Sequence, residues 1–303
     1  MTTLATTISD MADDMTNTGH RFDERRHWAA SLKLAFRSRE TRGNVRTCLA
    51  HARHQGPLRV QRAFYPEGRD GACHLYLLHP PGGLVSGDAL AIDASVARGA
   101  HALLTTPAAN KLYRADSQGV AWHQHTHLTV DEGGTLEWLP QETIAFDGSR
   151  GTQTTTLDLQ HGSRCLGWEI MALGRPASDL PFVSGRIEQR FRLSQDGRPL
   201  WLERQPLDPH HPRFHGRWGQ GGATTQATLW AVGLADDAAA IEAIRAAVPA
   251  SSRWAVTRRH GVVLLRYLGN ERNEAWDICQ RAWEVVRPLL VGRPANVPRI
   301  WLT

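Results

Sequence analysis

Three histidines alternate in the stretch "WHQHTHLTV": His123, His125 and His127 would share one face of a strand. Neighbours on such a face lie about 6.6 Å apart, from a rise of about 3.3 Å per residue. Two imidazoles could then converge on one metal ion with bonds of about 2.0 to 2.1 Å, whereas the outer pair, about 13 Å apart, could not share it. His123 and His125 are therefore a candidate metal pair that needs a further ligand from elsewhere. The same residues read equally as a solvated strand face in a chain with 15 histidines.

The carboxylates Glu137, Glu142 and Asp147 in "LEWLPQETIAFDGS" raise the question of a hydrolase. Paired acids do such chemistry when they are held across a substrate with separated pKa values. Pro140 interrupts any strand between Glu137 and Glu142, which leaves a polar lining or turn acids as the alternatives. In "LHPPGGLVSGD", Gly82 and Gly87 have the spacing of a phosphate loop, but Asp88 and Ala89 stand where that loop needs Lys and Ser or Thr. Pro80 and Pro81 fix an extended entry, and Gly82, Gly83 and Gly87 permit a tight reversal. The loop would thus aim Asp88 at a cation or an arginine partner. Nearby "TTPAANKLYRA" carries Lys111 and Arg114, surface charges or partners for Asp88. No G-x-S-x-G, H-E-x-x-H or Walker sequence occurs, and no cysteine has a catalytic signature around it. No enzyme, and no catalytic residue, is expected.

The elements that must position these groups are strands. From about residue 44 to 235 the dominant period is two: in "RIEQRFRL", Ile187, Gln189, Phe191 and Leu193 fall on one face and Arg186, Glu188, Arg190 and Arg192 on the other. "AWHQHTHLTV", "GTLEWLPQETIAF", "TQTTTLDL" and "GWEIMAL" repeat the pattern between turn signals such as "DEGG" and "DGSRG". Without intervening helices, such strands imply a mainly β fold of stacked or rolled, β-helix-like sheets, antiparallel or mixed. Helical periodicity is confined to residues 236–248 and 271–290, near the end, with buried strands "RWAV" and "GVVLLRYL" between them. The expected organisation is a disordered tail over residues 1–20 and one domain over 21–303, mainly β to about 235 with a small α+β end over 236–303. "DPHHPRFHGRWGQGG", residues 208–222, has no periodicity and reads as a long surface loop.

Composition bounds the rest. A chain of 303 residues, 41% hydrophobic and 21% charged, suits a soluble globular protein, and no apolar run approaches the roughly 20 residues of a membrane span. The first 20 residues contain no Lys or Arg and no apolar stretch, so no leader is expected and the cytoplasm is the expected location. Cys48, Cys73, Cys165 and Cys279 are widely spaced and expected to be reduced thiols. The net charge of +5 comes from scattered Arg with no Lys/Arg run, which argues against nucleic acid and for an acidic protein partner.

Taken together, "LHPPGGLVSGD", "TTPAANKLYRA", "LEWLPQETIAFDGS", "GWEIMALGRP" and the ending "RPANVPRIWLT" resemble, in order, the UreD (also called UreH) family of urease accessory proteins, from about residue 44 to the C-terminus. The resemblance implies a non-catalytic, mostly β assembly factor with two C-terminal helices. It implies binding to apo-urease and to a UreF-type accessory protein, through which a UreG-type GTPase joins, and passage of nickel through the subunit. It also implies no permanently bound cofactor, only transient Ni²⁺. The motif positions carried over are Pro80, Pro81, Gly82, Gly83, Gly87, Lys111, Tyr113, Arg114, Glu137 and Gln141, with Asp88, Glu142, Asp147 and Glu169 as acids of a nickel path. Oxygen ligands suit transit because they release Ni²⁺ more readily than thiolates do. The alternative is a stand-alone nickel-binding metallochaperone or storage protein built on His123, His125, His210, His211 and His215.

Overall fold

The computed structural model describes residues 28–41, 44–68 and 70–302. The expected tail over residues 1–20 lies outside them. The chain enters as a long hairpin of β1 (Trp28–Thr41) and β2 (Asn44–Gln55), followed by the short β3 (Arg59–Val60). It then coils. The first turn of the coil is β4 (Cys73–Leu78), β5 (Gly83–Leu84) and β6 (Asp88–Val96); the second is β7 (His101–Thr105), β8 (Asn110–Leu112) and β9 (Trp122–Val130). The third is β10 (Thr135–Leu139), β11 (Thr143–Ala145) and β12 (Arg150–Leu159), and the fourth is β13 (Arg164–Leu173) and β14 (Arg186–Gln195).

Equivalent strands of successive turns pair in parallel: β4, β7, β10 and β13 along one wall, and β6, β9, β12 and β14 along the other. The repeat has a local cause. Gly99, Gly133 and Gly162 hold φ of 70°, 68° and 74° at equivalent corners, a conformation that costs glycine nothing. These corners stack, Gly99 N donating to Gly133 O and Gly133 N to Gly162 O at 3.2 Å each. Each turn therefore returns the chain to the same end of the sheet.

Antiparallel pairing is confined to the margins. β15 (Arg198–Leu207) folds back on β14, and β16 (Thr225–Val232) pairs with β13. β17 (Trp254–Arg259) and β18 (Val262–Gly269) extend the second sheet. Two mixed sheets result, one of seven strands ordered β15-β14-β12-β9-β6-β1-β2 and one of eleven. The architecture is mainly β and β-helix-like, and the sheets are mixed.

The period of two decides the core. Leu32, Leu34, Leu90, Leu128, Leu157, Leu136 and Trp138 meet between the sheets. The outer face of the eleven-stranded sheet is covered by helices. A single turn, α1 (Pro212–His215), lies in the loop before β16; α2 (Asp237–Ala247) and α3 (Arg272–Val291) follow the expected spans. Asp236 caps α2, its side chain accepting from Ala238 N at 2.9 Å and Ala239 N at 3.0 Å, a cap of roughly 1 kcal/mol. Ile241, Ile278, Trp283 and Leu290 pack on Leu103, Leu166 and Leu265, each large side chain contributing roughly 2 to 3 kcal/mol by burial. Cys73, Cys165 and Cys279 are buried free thiols and Cys48 is half-buried. Among the described residues no helix is long and apolar enough to cross a membrane.

Candidate functional site

Strand alternation places two rows of polar side chains inside the seven-stranded sheet. In lateral register across β6, β9, β12, β14 and β15 stand Leu90, Gln124, Gln153, Gln189 and Gln205. The next row is Ile92, Thr126, Thr155, Phe191 and Glu203. These rows run across the strands, along the axis of the coil, so they form a lane between the two sheets. Asn110 Nδ2 donates to Gln124 Oε1 at 3.0 Å and Gln189 Nε2 to Gln153 Oε1 at 3.2 Å. From the opposite sheet, Gln226 Nε2 donates to Gln205 Oε1 at 2.6 Å, and Gln205 Nε2 donates to Glu203 Oε1 at 2.6 Å.

The lane opens into a small solvent-accessible cleft lined by Glu169, Gln189, Gln205, Gln226, Thr228 and Trp230, among others. Glu169, on β13, turns its carboxylate into this cleft and accepts from the Thr155 hydroxyl. Protein surrounds the carboxylate everywhere except the cleft itself. Burial pushes its pKa up to about 7; the Thr155 hydrogen bond lowers it, and the Glu203 charge adds to the rise. Glu203 is held at the rim by Arg266, with N–O distances of 2.5 and 3.1 Å. The site thus offers amide and hydroxyl oxygens, with one carboxylate that changes charge near neutrality. Such hard donors suit a cation held weakly and released. Cys165 shares the interior face of β13, but burial pushes its thiol up to about 12, so no thiolate stands beside the lane at neutral pH.

The acids expected to form a metal path are not brought together around Glu169. Asp88 is buried and closes its own turn, Oδ2 accepting from Val85 N at 2.8 Å; burial pushes its pKa up, and that hydrogen bond opposes the rise. The loop before it is a packing device. Gly82 and Gly87 have φ of 77° and 85°, and a Cβ on Gly83 would fall on the Lys111 carbonyl oxygen and the Tyr113 ring. Pro80 and Pro81 are exposed at its tip, as is the side of β8 that carries Lys111. Tyr113 packs edge-on against Phe146, ring centroids 5.0 Å apart. Arg114 pairs with Asp147 rather than with Asp88. Asp147 also accepts from Val183 N at 3.0 Å and Ser184 N at 2.7 Å, stapling two corner loops. Burial alone would raise its pKa, but the Ser184 and Val183 donors and Arg114 bring it below the usual range.

Glu142 is buried beside the start of α3, 3.2 Å from Arg272 Nε, with its other oxygen buried and unpartnered. Gln141 N donates to Thr106 Oγ1 at 2.9 Å. Glu137 faces the helices, where it accepts from Trp283 Nε1 at 2.7 Å and from Arg287 Nε at 3.0 Å, with His101 Nε2 at 2.7 Å. Arg287 Nη2 also reaches Glu67 at 2.6 Å. This cluster joins β10 to α3, and none of its members lines the cleft.

The histidine row lies on the outer face of β9. His127 stands between Asp158 at 2.9 Å and Asp93 at 3.5 Å, and its ring stacks on His125 with centroids 6.2 Å apart and planes 10° apart. Parallel rings do not converge on a common ion. His125 is instead 3.2 Å from Thr156 Oγ1. His211 and His215 are engaged within their own loop. Among the described residues no group of three or more His, Cys, Asp or Glu is placed to hold a metal ion.

The residues that line the lane, Gln124, Gln153, Gln189, Gln205, Gln226 and Thr155, were not singled out by sequence reasoning. One signal was visible: Gln189 sits on the apolar face of its strand with Ile187, Phe191 and Leu193. Within "HQHTH" the histidines face out, and the intervening Gln124 and Thr126 are the interior residues.

Comparison with known proteins connects this geometry to a family. A family model described as UreD urease accessory protein matches residues 29–302. The urease accessory protein UreD of Chromohalobacter salexigens is 68% identical over 292 residues, covering 94% of this chain and 92% of that protein. That of Marinobacter nauticus is 67% identical over 293 residues, covering 96% and 98%. That of Pseudoalteromonas translucida is 61% identical over 303 residues and covers both chains fully.

Proposed function

The chain belongs to the UreD family of urease accessory proteins, and from that premise we propose that it is a non-catalytic scaffold in urease maturation that passes nickel along its interior lane. It binds apo-urease and a UreF-type accessory protein, joins a UreG-type GTPase through the latter, and works in the cytoplasm. The observation that carries this reading is the row of Gln124, Gln153, Gln189 and Gln205 leading to the Glu169 cleft.

Nickel is cargo in this scheme, and the chain's groups have three tasks. The amide oxygens replace part of the ion's water shell without the grip of thiolate. Glu169 supplies a charge once ionised, and it loses that charge by taking up a proton. The apolar rows on either side, such as Ala94, Leu128, Leu157 and Leu193, confine the ion to the lane. The contacts that engage His125, His127, His211 and His215 with protein groups favour passage over storage. The test is urease co-produced with the double variant Gln189→Leu and Gln205→Leu. Nickel content and activity should fall while the variant still co-purifies with apo-urease. Full nickel loading with both amides gone refutes the lane.

A further inference from the structure

Two long loops lie side by side at one end of the coil. Residues 174–185 connect β13 to β14, and residues 208–224 connect β15 to β16. Because Ile187 pairs with Leu207 and Ala172 with Thr225, both loops begin and end on neighbouring strand ends. Where they meet the sheet, Leu173 N at the end of β13 donates to Thr224 O at 2.7 Å. Together they expose Leu180, Val183 and Trp218, and the indole of Trp218 is 90% exposed.

That exposure is held in place. Phe214 anchors its loop in the core, His215 Nε2 lies 2.9 Å from the Pro209 oxygen, and Gln220 N donates to Phe214 O at 3.1 Å. Gly219 has no room for a Cβ against the Arg213 carbonyl oxygen. A large indole presented on a pinned loop is ready to bind without further ordering. On the two loops and at the start of β14, Arg175, Arg213, Arg217 and Arg186 are exposed, and the Arg217 guanidinium lies 5.5 Å from the Trp218 ring centroid. The exposed acid among them is Asp179, while Asp208 is half-buried and caps its own turn. Tryptophan and arginine are the residue types that dominate protein interfaces.

We propose that this two-loop surface, centred on Trp218, is where apo-urease docks, through an apolar pocket on urease ringed by carboxylates. The inference rests on the scaffold reading above. The same strand ends carry Gln189, Gln205 and Gln226 of the cleft, so an acceptor of the metal seated here receives it at the mouth. The Arg rim calls for an acidic partner and disfavours a second copy of this chain, which would bring like charges together. A single indole with aliphatic neighbours is not the row of rings that single-stranded nucleic acid stacks on.

The test uses the full chain and purified apo-urease, with affinity measured by biolayer interferometry at low and high salt. Trp218→Ala should weaken binding by about tenfold or more, and the double variant Arg213→Glu with Arg217→Glu should weaken it in a way that shrinks as salt rises. Leu202→Ala, at a 63% exposed site on β15, should leave affinity unchanged, and all variants should melt with the parent chain. If the parent binds and the Trp218 and arginine variants match it, the surface is wrong and the scaffold reading stands. If the parent does not bind apo-urease at all, the scaffold reading fails with it. Retention of duplex DNA, or self-association, that is lost in Trp218→Ala also overturns the proposal.

Discussion

Replacing Glu169 by glutamine should stabilise the protein above neutral pH and do nothing below the ordinary carboxyl pKa, at about pH 4. In the folded chain the carboxyl has a pKa of about 7, against an ordinary value of 4.5 in the unfolded chain. Between those values the folded state binds more protons than the unfolded one. Stability therefore falls as pH rises through this window, and the penalty is complete above about 7. The full difference corresponds to roughly 3 kcal/mol, at 1.36 kcal/mol for each pH unit. Because the carboxylate faces a cleft open to solvent, a loss of about 1 to 3 kcal/mol is the working range. Glutamine keeps an oxygen for the Thr155 hydroxyl and removes the charge. Urea unfolding of both chains at about pH 4, 5, 6, 7 and 8 isolates the effect, since other titrating groups cancel in the difference. The variant's midpoint should coincide with the parent's at about pH 4, begin to exceed it by about pH 5 and exceed it fully at about pH 8, with equal m-values. A difference that is flat across the range, or one that grows toward acid, would refute the reasoning that Glu169 is desolvated in the lane.

Other predictions follow from the same contacts. Arg287→Met strands Glu137 and Glu67 in the interior and should cost about 3 to 5 kcal/mol, measured as a drop in unfolding free energy; adding Glu137→Gln should recover part of it. Gly83→Ala, which puts a methyl against the Lys111 carbonyl, should lower stability by about 1 to 3 kcal/mol, whereas Pro81→Ala at the exposed tip should lower it far less on the same melts. His127 has its pKa raised by Asp93 against the opposing effect of burial, with Asp158 adding to the rise. Its pairs therefore stabilise the fold below the ordinary histidine pKa and lose effect as pH rises through the raised value. His127→Ala should destabilise at about pH 5.5 and be near neutral at about pH 8.5, read from thermal melts at both.

Much of the fold was legible because strand alternation is a local property. Ile187, Phe191 and Leu193 share a face at any register, and the breaks at Pro140 and at the Gly corners mark real strand ends. The two terminal helices were legible for the same reason, from the acids that open α2 and the apolar stripe of α3. Parallel stacking was not, because it depends on contacts between successive turns, and the corners that stack, Gly99, Gly133 and Gly162, are unequally spaced along the chain. The role of Glu137 was hidden by distance: its partners Trp283 and Arg287 lie 146 and 150 residues later. Alternation also leaves open which face of a strand is inside, and for that reason the sequence did not tell that Gln124 and Thr126, not the histidines of β9, face the interior.

The glutamine row is the strongest reason to treat the interior as more than a core. An apolar alternative exists two rows along the same face of the sheet, beyond Thr126 and Thr155, where Ala94, Leu128, Leu157 and Leu193 fill equivalent positions. Burying an amide without its hydrogen bonds costs about 1 to 3 kcal/mol, so a purely structural core has every reason to repeat the aliphatic row. The amides of Gln153, Gln189, Gln205 and Gln226 instead satisfy one another across neighbouring strands and the facing sheet. Such a network offsets its own desolvation only when every member is present. Single substitutions in the row should then destabilise more than the simultaneous Gln189→Leu and Gln205→Leu change relative to the sum of its parts. A double variant that is well folded but no longer passes nickel would separate the lane's function from its packing.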